Sequence, residues 1–304
     1  MSEKRSRTGN FSPLRYPGGK GKLAAYLKEV VVTNGLEDGQ YVEPYAGGAG
    51  IAIELLLEEY VKHIWINDLS VPVYAFWYSA INFTDEFCRL VRDTKLSVPS
   101  WQRQKRIFKE ARDPLSLGFA TFFLNRTNRS GILNGGIIGG VDQTGPWKIG
   151  ARYNAAELVQ RVEQIANMRA RITLTNEDAL TFLKRHKKSW NAKTLIYLDP
   201  PYFEKGRHLY YDYYQPQDHQ RVAKAIQATK IAKWLVSYDN TPSIRALYRD
   251  APRLVYSVGY SARDRTDGTE IMFFGPGLDI PRTRGSMREI SRRRRGTRQI
   301  SSLR

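Results

Sequence analysis

The stretch QYVEPYAGGAGIAIELLLEEYVKHIWIND, residues 40–68, carries three signals in succession. QYVEPY (40–45) reads as a short apolar strand, GIAIELLLEEY (50–60) as a helix with one buried face, and HIWIND (63–68) as a second strand. Two strands joined through a helix pair in parallel, because a tight hairpin cannot connect them. The same alternation continues downstream. ITLTN (172–176), TLIYLD (194–199) and KWLVSYD (233–239) are further strands, separated by helical patterns around 179–185 and 217–229. The predicted fold is a doubly wound, Rossmann-like α/β sheet. RLVYSVGY (253–260) and EIMFFG (270–275) flank the polar loop ARDRTDG, which predicts an antiparallel C-terminal hairpin at the sheet edge.

Residues 71–171 exceed what one crossover needs and are read as an inserted, mainly helical region. Its middle, FFLNRTNRSGILNGGIIGGVDQTGPWKIGARYN, is rich in Gly, Asn and Arg with interspersed aromatics. The expected organisation is a catalytic unit from 1–70 and 172–280, an inserted recognition region over 71–171, and a disordered Arg-rich tail over 281–304. The tail has almost no apolar content from GSMREI onward.

Charge narrows the partner. The chain carries 48 Lys and Arg against 30 Asp and Glu, a formal net charge of +18, and the excess persists when both termini are set aside. A basic surface of this size attracts a polyanion such as nucleic acid. No apolar run is long enough to cross a bilayer, and MSEKRSRTGN lacks the apolar segment of a signal peptide, so the expected setting is the cytoplasm with no membrane partner. The single cysteine, Cys88, rules out an internal disulfide, and four scattered histidines offer no ligand spacing. No metal is expected.

TLIYLDPPYF, residues 194–203, follows an apolar strand with an acid, two prolines and an aromatic. Pro200 and Pro201 cannot donate ladder bonds, so the sheet ends there on a stiff extended path with free carbonyl acceptors. Taken alone, this is also how a strand ends in a rigid turn. YVEPYAGGAG places glycines between the first strand and the first helix, where backbone can approach a ligand at a helix N-terminus. It is not the dinucleotide fingerprint, whose third glycine would fall at Ile53. Asp68 ends the second strand, where an acid in this topology grips ribose hydroxyls. These two features describe either a nucleoside-bearing ligand or a glycine-rich turn with an unrelated acid.

Four elements in order, LRYPGGKGKL (14–23), EPYAGGAG (43–50), IND (66–68) and LDPPY (198–202), resemble the Dam-like DNA N6-adenine methyltransferases, and NED (176–178) before a helix matches as well. The resemblance covers about residues 10–275. Ala49 departs from it, standing where the second glycine of F-x-G-x-G is expected. The resemblance implies S-adenosylmethionine as methyl donor, S-adenosylhomocysteine as product and double-stranded DNA as partner. It assigns Tyr16, Lys20, Glu43, Gly47, Gly48, Asp68, Asp178 and Asp199 to the cofactor, although Asp178 opens a helix and an acid there is also a good cap. Asp199, Pro200 and Tyr202 are the expected catalytic set. Asp199 and the Pro200 carbonyl would accept the adenine amino hydrogens, and Tyr202 would stack on an extruded base. Arg126, Arg129, Lys148 and Arg152 are expected to meet DNA, while Asp218 and His219 are read as structural. Rival readings are a cytosine N4, RNA adenine or protein glutamine methyltransferase, or an inactive DNA-binding relative. Asp199 favours adenine among them, by family association.

Overall fold

The computed structural model describes residues 11–15, 20–203, 214–258 and 269–293. Eight strands form one sheet in the order β3-β2-β1-β4-β5-β7-β6-β8. They are β1 (Gln40–Glu43), β2 (His63–Asn67), β3 (Ile172–Thr175), β4 (Thr194–Leu198), β5 (Lys233–Asp239), β6 (Arg253–Val258), β7 (Glu270–Phe274) and β8 (Met287–Arg293). The first five in spatial order are parallel, and β7, β6 and β8 add an antiparallel edge. The mixed α/β fold and the C-terminal hairpin are therefore as the sequence predicts.

Ten α-helices lie among the described residues: α1 (Ala24–Thr33), α2 (Gly50–Leu57), α3 (Val71–Asn82), α4 (Thr84–Asp93), α5 (Val98–Glu110), α6 (Pro114–Thr127), α7 (Ala155–Ala166), α8 (Ala179–His186), α9 (Pro216–Gln227) and α10 (Pro242–Leu247). Side chains alternate across a strand, so each face of the sheet needs its own apolar cover. One face presents Tyr41, Ile64, Ile66, Leu195, Tyr197 and Leu235 to a cluster that includes α1, α2 and the helices of the inserted region. The other presents Val42, Ile196, Leu198 and Val236 to α8, α9 and α10. This explains why TLIYL is apolar at every position: all five residues are buried.

The inserted region is helical, α3 to α7, and its aromatics Phe76, Trp77, Phe87, Phe122 and Tyr153 belong to the same core as Ile51 and Leu55. Gly118 lets α6 lie against α3. A Cβ there would stand 2.4 Å from the Ala75 carbonyl oxygen.

The expected disorder of the tail is corrected over its first half. Met287–Arg293 is the edge strand β8, paired antiparallel with β6 from Val258↔Met287 to Arg253↔Arg293. Composition misleads here because an edge strand is held by ladder bonds and needs little apolar surface, and charge on it discourages further pairing. Met287 is buried as the anchor. Arg292 donates to the Ile280 and Pro281 carbonyls at 2.7 and 2.9 Å. Residues 294–304, Tyr16 and the loop ARDRTDG lie outside the described residues.

Candidate active site

The register brings the two motif-bearing loops together. Val42 pairs with Ile196, so β1 and β4 are neighbours, and the loops that follow Glu43 and Leu198 emerge side by side at the carboxyl ends of the strands. The crevice outside the carboxyl ends, where strand order reverses, is where open α/β sheets bind ligands.

The glycine loop is braced from two sides. Asp68, just past β2, accepts the Gly47 N–H on Oδ2 at 2.7 Å and the Ser70 N–H on Oδ1 at 2.9 Å. Burial raises its carboxyl above the usual range, and these two backbone donors act the other way. The indole of Trp77 donates to the Gly47 carbonyl at 2.9 Å, and the Ser12 hydroxyl donates to that of Gly48. Ala49 sits at φ 44° and ψ 31°, left-handed backbone that favours glycine. The departure from the expected glycine pattern thus falls at a residue whose conformation is the one glycine adopts freely.

Asp199 stands at the centre. Its Oδ1 accepts from the Ser237 hydroxyl at 2.8 Å, and Ser237 in turn is 2.8 Å from the Tyr197 hydroxyl, a relay in which Tyr197 donates to Ser237. Oδ2 accepts from no donor among the described residues. Burial pushes the Asp199 carboxyl up to about 6; the Lys20 charge pulls it down, Glu270 pushes it up, and the bond from Ser237 pulls it down. Lys20 is buried, donates to the Tyr202 hydroxyl at 2.9 Å and to Glu270 at 2.8 Å, and lies 3.8 Å from Asp199 Oδ1. Phe203 closes the motif by donating its N–H to Asp239 at 2.9 Å. Behind it, the rings of Phe203 and Tyr214 pack on His219, and the Tyr45 and Tyr214 hydroxyls meet at 3.0 Å.

A family model described as D12 class N6 adenine-specific DNA methyltransferase matches residues 16–261. The chain belongs to this family. No curated protein matches it. Among solved structures it is similar to the rRNA methyltransferase aviRa from Streptomyces viridochromogenes, at 10% identity with 84% of this chain and 85% of that chain covered and a TM-score of 0.31. A second is protein LPL1258 from Legionella pneumophila str. Philadelphia 1, at 13% identity, with 85% and 87% covered and a TM-score of 0.31.

For a D12 class chain, the expected residues sort as follows. Lys20, Asp199 and Tyr202 come together as described, and Asp68 joins Gly47 at the glycine loop. Glu43 is buried beneath that loop, and burial pushes its carboxyl up to about 8. Asp178 caps α8, accepting from the Leu180 and Thr181 N–H groups at 3.0 and 3.2 Å. Arg129, Lys148 and Arg152 are exposed. Lys148 donates to the Gln143 carbonyl at 2.5 Å, and the Arg152 guanidinium lies 6.0 Å from the centre of the Trp147 ring.

Arg126 is a correction. It is 7% exposed and donates to the Pro13 and Arg152 carbonyls at 2.6 and 3.5 Å, so it clamps the chain internally instead of facing a duplex. Burial, with Arg161 and Arg15 close by, pushes its guanidinium down to about 9. Asp218 accepts the Gln215 N–H in a capping box, and buried His219 meets the Tyr238 hydroxyl.

Sequence reading missed Ser237, Tyr197, Tyr256, Glu270 and Asn67. Asn67 donates to the Pro44 and Glu177 carbonyls and so ties the loops after β1 and β3 together. Two signals were present: Ser237 is a small polar residue inside the run of β5 that is buried from Trp234 to Tyr238, and Glu270 is an acid heading a fully buried strand.

Proposed function

We propose that the protein is a site-specific DNA methyltransferase that transfers a methyl group from S-adenosylmethionine to N6 of an adenine turned out of the duplex. The observation that carries this reading is Asp199 in D-P-P-Y at the carboxyl edge of the sheet, with Oδ1 accepting from Ser237 and Oδ2 accepting from no donor among the described residues, in a chain of the D12 class.

The donor set fits the cofactor. Each Asp68 oxygen accepts one backbone N–H and keeps a lone pair for a ribose hydroxyl. The loop of Gly47 and Gly48 follows β1, the neighbour of the strand that ends in Asp199, and Lys20, Glu43, Asp178 and Tyr16 complete the set that the family resemblance assigns. When bound, S-adenosylmethionine supplies an already activated sulfonium methyl, so positioning is most of the protein's task.

The adenine amino lone pair is delocalised into the ring. Asp199 Oδ2 and the Pro200 carbonyl accept the two amino hydrogens, which draws the lone pair onto nitrogen and aims it. Methylation leaves N6 with a surplus proton, and an Asp199 carboxyl at about 6 is placed to take it at neutral pH. Tyr202 offers a ring face for the base. Arg129, Lys148 and Arg152, on exposed loop of the inserted region, meet the duplex, as the net charge of +18 favours.

The test is transfer of labelled methyl to duplex DNA, followed by digestion to nucleosides. Label in N6-methyladenine, lost in Asp199→Asn, is the expected result. Label in N4-methylcytosine, or transfer to RNA alone, overturns the adenine-in-DNA reading. For the cofactor, Asp68→Ala should weaken S-adenosylmethionine binding by about 1.5–3 kcal/mol, the scale of charged hydrogen bonds, in calorimetry.

A further inference from the structure

Lys20 has a choice of two carboxylates. Its ammonium, with the side chain 5% exposed, sits 2.8 Å from Glu270 Oε1 and 3.8 Å from Asp199 Oδ1. A buried ammonium settles on the acceptor that compensates it best, and here that is Glu270.

Glu270 is held for this. It heads β7, opposite Asp239 of β5 and Tyr256 of β6. Its Oε2 accepts from the Tyr256 hydroxyl at 2.8 Å, and its Oε1 accepts from the Tyr202 hydroxyl at 3.1 Å as well as from Lys20. Tyr202 accepts from Lys20 at 2.9 Å, so the Lys20 ammonium, the Tyr202 hydroxyl and Glu270 Oε1 form a closed triangle. The ammonium is also 4.9 Å from the centre of the Tyr202 ring. The two short bonds of the Lys20 ammonium, at 2.9 and 2.8 Å, go to Tyr202 and Glu270, and Asp199 is the longer contact at 3.8 Å.

The consequence for Asp199 is specific. Its Oδ1 already accepts from Ser237. A full salt bridge from Lys20 would add a second strong donor to the carboxylate at Oδ1, draw its negative charge away from Oδ2 and so weaken the acceptor that the substrate's amino group needs. At 3.8 Å the ammonium still favours the charged form through space and leaves the acceptor open.

We propose that Glu270 is a positioning residue for methyl transfer: by holding Lys20 against itself and Tyr202, it keeps the ammonium off Asp199 and leaves that carboxylate free to accept from the substrate's amino group. This rests on Asp199 being the acceptor in the proposed reaction.

Glu270→Gln keeps the shape and removes the charge. Lys20 then turns to Asp199, the nearest remaining carboxylate. The groups that act on Asp199 are Tyr41 and Glu43 from β1, Tyr197 from β4, Ser237 from β5, Glu270 from β7, and Lys20 and Tyr202. Only the Glu270 and Lys20 contributions change, and both changes lower the Asp199 titration.

The experiment is a carboxyl 13C NMR titration of aspartate-labelled protein without cofactor or DNA, with the Asp199 signal identified by its absence in Asp199→Asn. The midpoint, about 6 in the parent protein, should fall by at least one pH unit in Glu270→Gln. Single-turnover methyl transfer at pH 8 with saturating cofactor, where Asp199 is ionised in both proteins, should slow at least tenfold, with the DNA concentration for half-maximal rate within about threefold. A merely structural Glu270 would lower stability and leave the midpoint in place. If Glu270→Gln does not fold, Glu270→Asp carries the test: its shorter carboxylate draws Lys20 further from Asp199, so the midpoint should rise. An unmoved midpoint in Glu270→Gln, or a midpoint that does not rise in Glu270→Asp, overturns the proposal. Failure of the parent protein to methylate DNA would instead overturn the reaction reading, since the titration needs neither substrate.

Discussion

Ser237 donates its hydroxyl proton to Asp199 Oδ1 at 2.8 Å, across from β5 to the end of β4, and is itself backed by the Tyr197 hydroxyl. One carboxylate oxygen is thereby fixed, and the other accepts from no donor among the described residues. Ser237→Ala frees the carboxylate to rotate. It also removes a bond that lowers the Asp199 titration, so the acid limb of activity should move from about 6 to higher pH. Turnover at neutral pH should drop about tenfold to a hundredfold, less than or at the low end of the about 10²–10⁴-fold that a positioned proton acceptor itself contributes. A pH–rate profile decides it, and an acid limb in its original place would exclude the orienting role.

Glu43 links the site to stability. Its carboxyl is raised from 4.5 to about 8, by burial first and by the Asp199 charge in addition. A group raised on folding stabilises the protonated protein. That contribution is complete below about pH 4.5 and is lost as pH rises through about 8, at a slope of up to about 1.4 kcal/mol per pH unit. Glu43→Gln cannot ionise and should be free of this loss. Melting temperatures of the two proteins should diverge between pH 5 and 8 in favour of the variant; parallel curves would mean that Glu43 is ionised in the folded protein.

Ala49 turns the one departure from the family's glycine pattern into a measurable cost. Its left-handed backbone is the conformation in which a Cβ meets the following carbonyl, at about 1–2 kcal/mol. Ala49→Gly relieves that strain and adds chain entropy to the unfolded state, so a net gain of about 0.5–1 kcal/mol is expected in urea unfolding. A loss of stability would mean that contacts of the buried Ala49 methyl outweigh its backbone.

What the sequence revealed follows from how local each signal is. The parallel strands were legible because TLIYL and HIWIN are short apolar runs between turn residues, and their order follows from helices that must cover both faces. D-P-P-Y and the glycine loop were legible because each motif is contiguous. Ser237, Tyr256 and Glu270 were not, since each acts on a residue of another strand: Ser237 on Asp199, Tyr256 on Glu270 and Glu270 on Lys20, and only the β5-β7-β6 register brings them to one place. Arg126 failed for a related reason. A charged residue in an Arg- and Asn-rich segment reads as surface, while α6 is buried from Leu117 to Thr127 and its arginine satisfies carbonyls at a distance in sequence. The tail failed because pairing, not burial, makes an edge strand.

That last correction sharpens the account of DNA affinity. Deleting residues 282–304 would strip β8 from β6 and confound binding with folding, so the cut belongs after Arg293. Residues 294–304 carry four arginines and no acid. Their contacts with phosphates would be independent of sequence and would release counterions, with log K falling by about 0.9 per neutralised phosphate for each log unit of salt. Removing them should lower affinity and flatten the salt slope, leaving the methylated sites unchanged. Arg129 and Arg152 are different, because the inserted region holds them on a folded surface. Arg129 follows α6 and donates its backbone N–H to the Gly136 carbonyl at 2.9 Å, and Arg152 stands near the exposed Trp147 ring. Arginine held in place can read guanine edges, each such pair contributing about 1–3 kcal/mol of discrimination. Arg129→Ala and Arg152→Ala should therefore redistribute methylation among adenines, scored by mapping modified bases at single-nucleotide resolution. If removing 294–304 changes the recognised sequence while both arginine variants leave it intact, recognition lies in the tail and not in the inserted region.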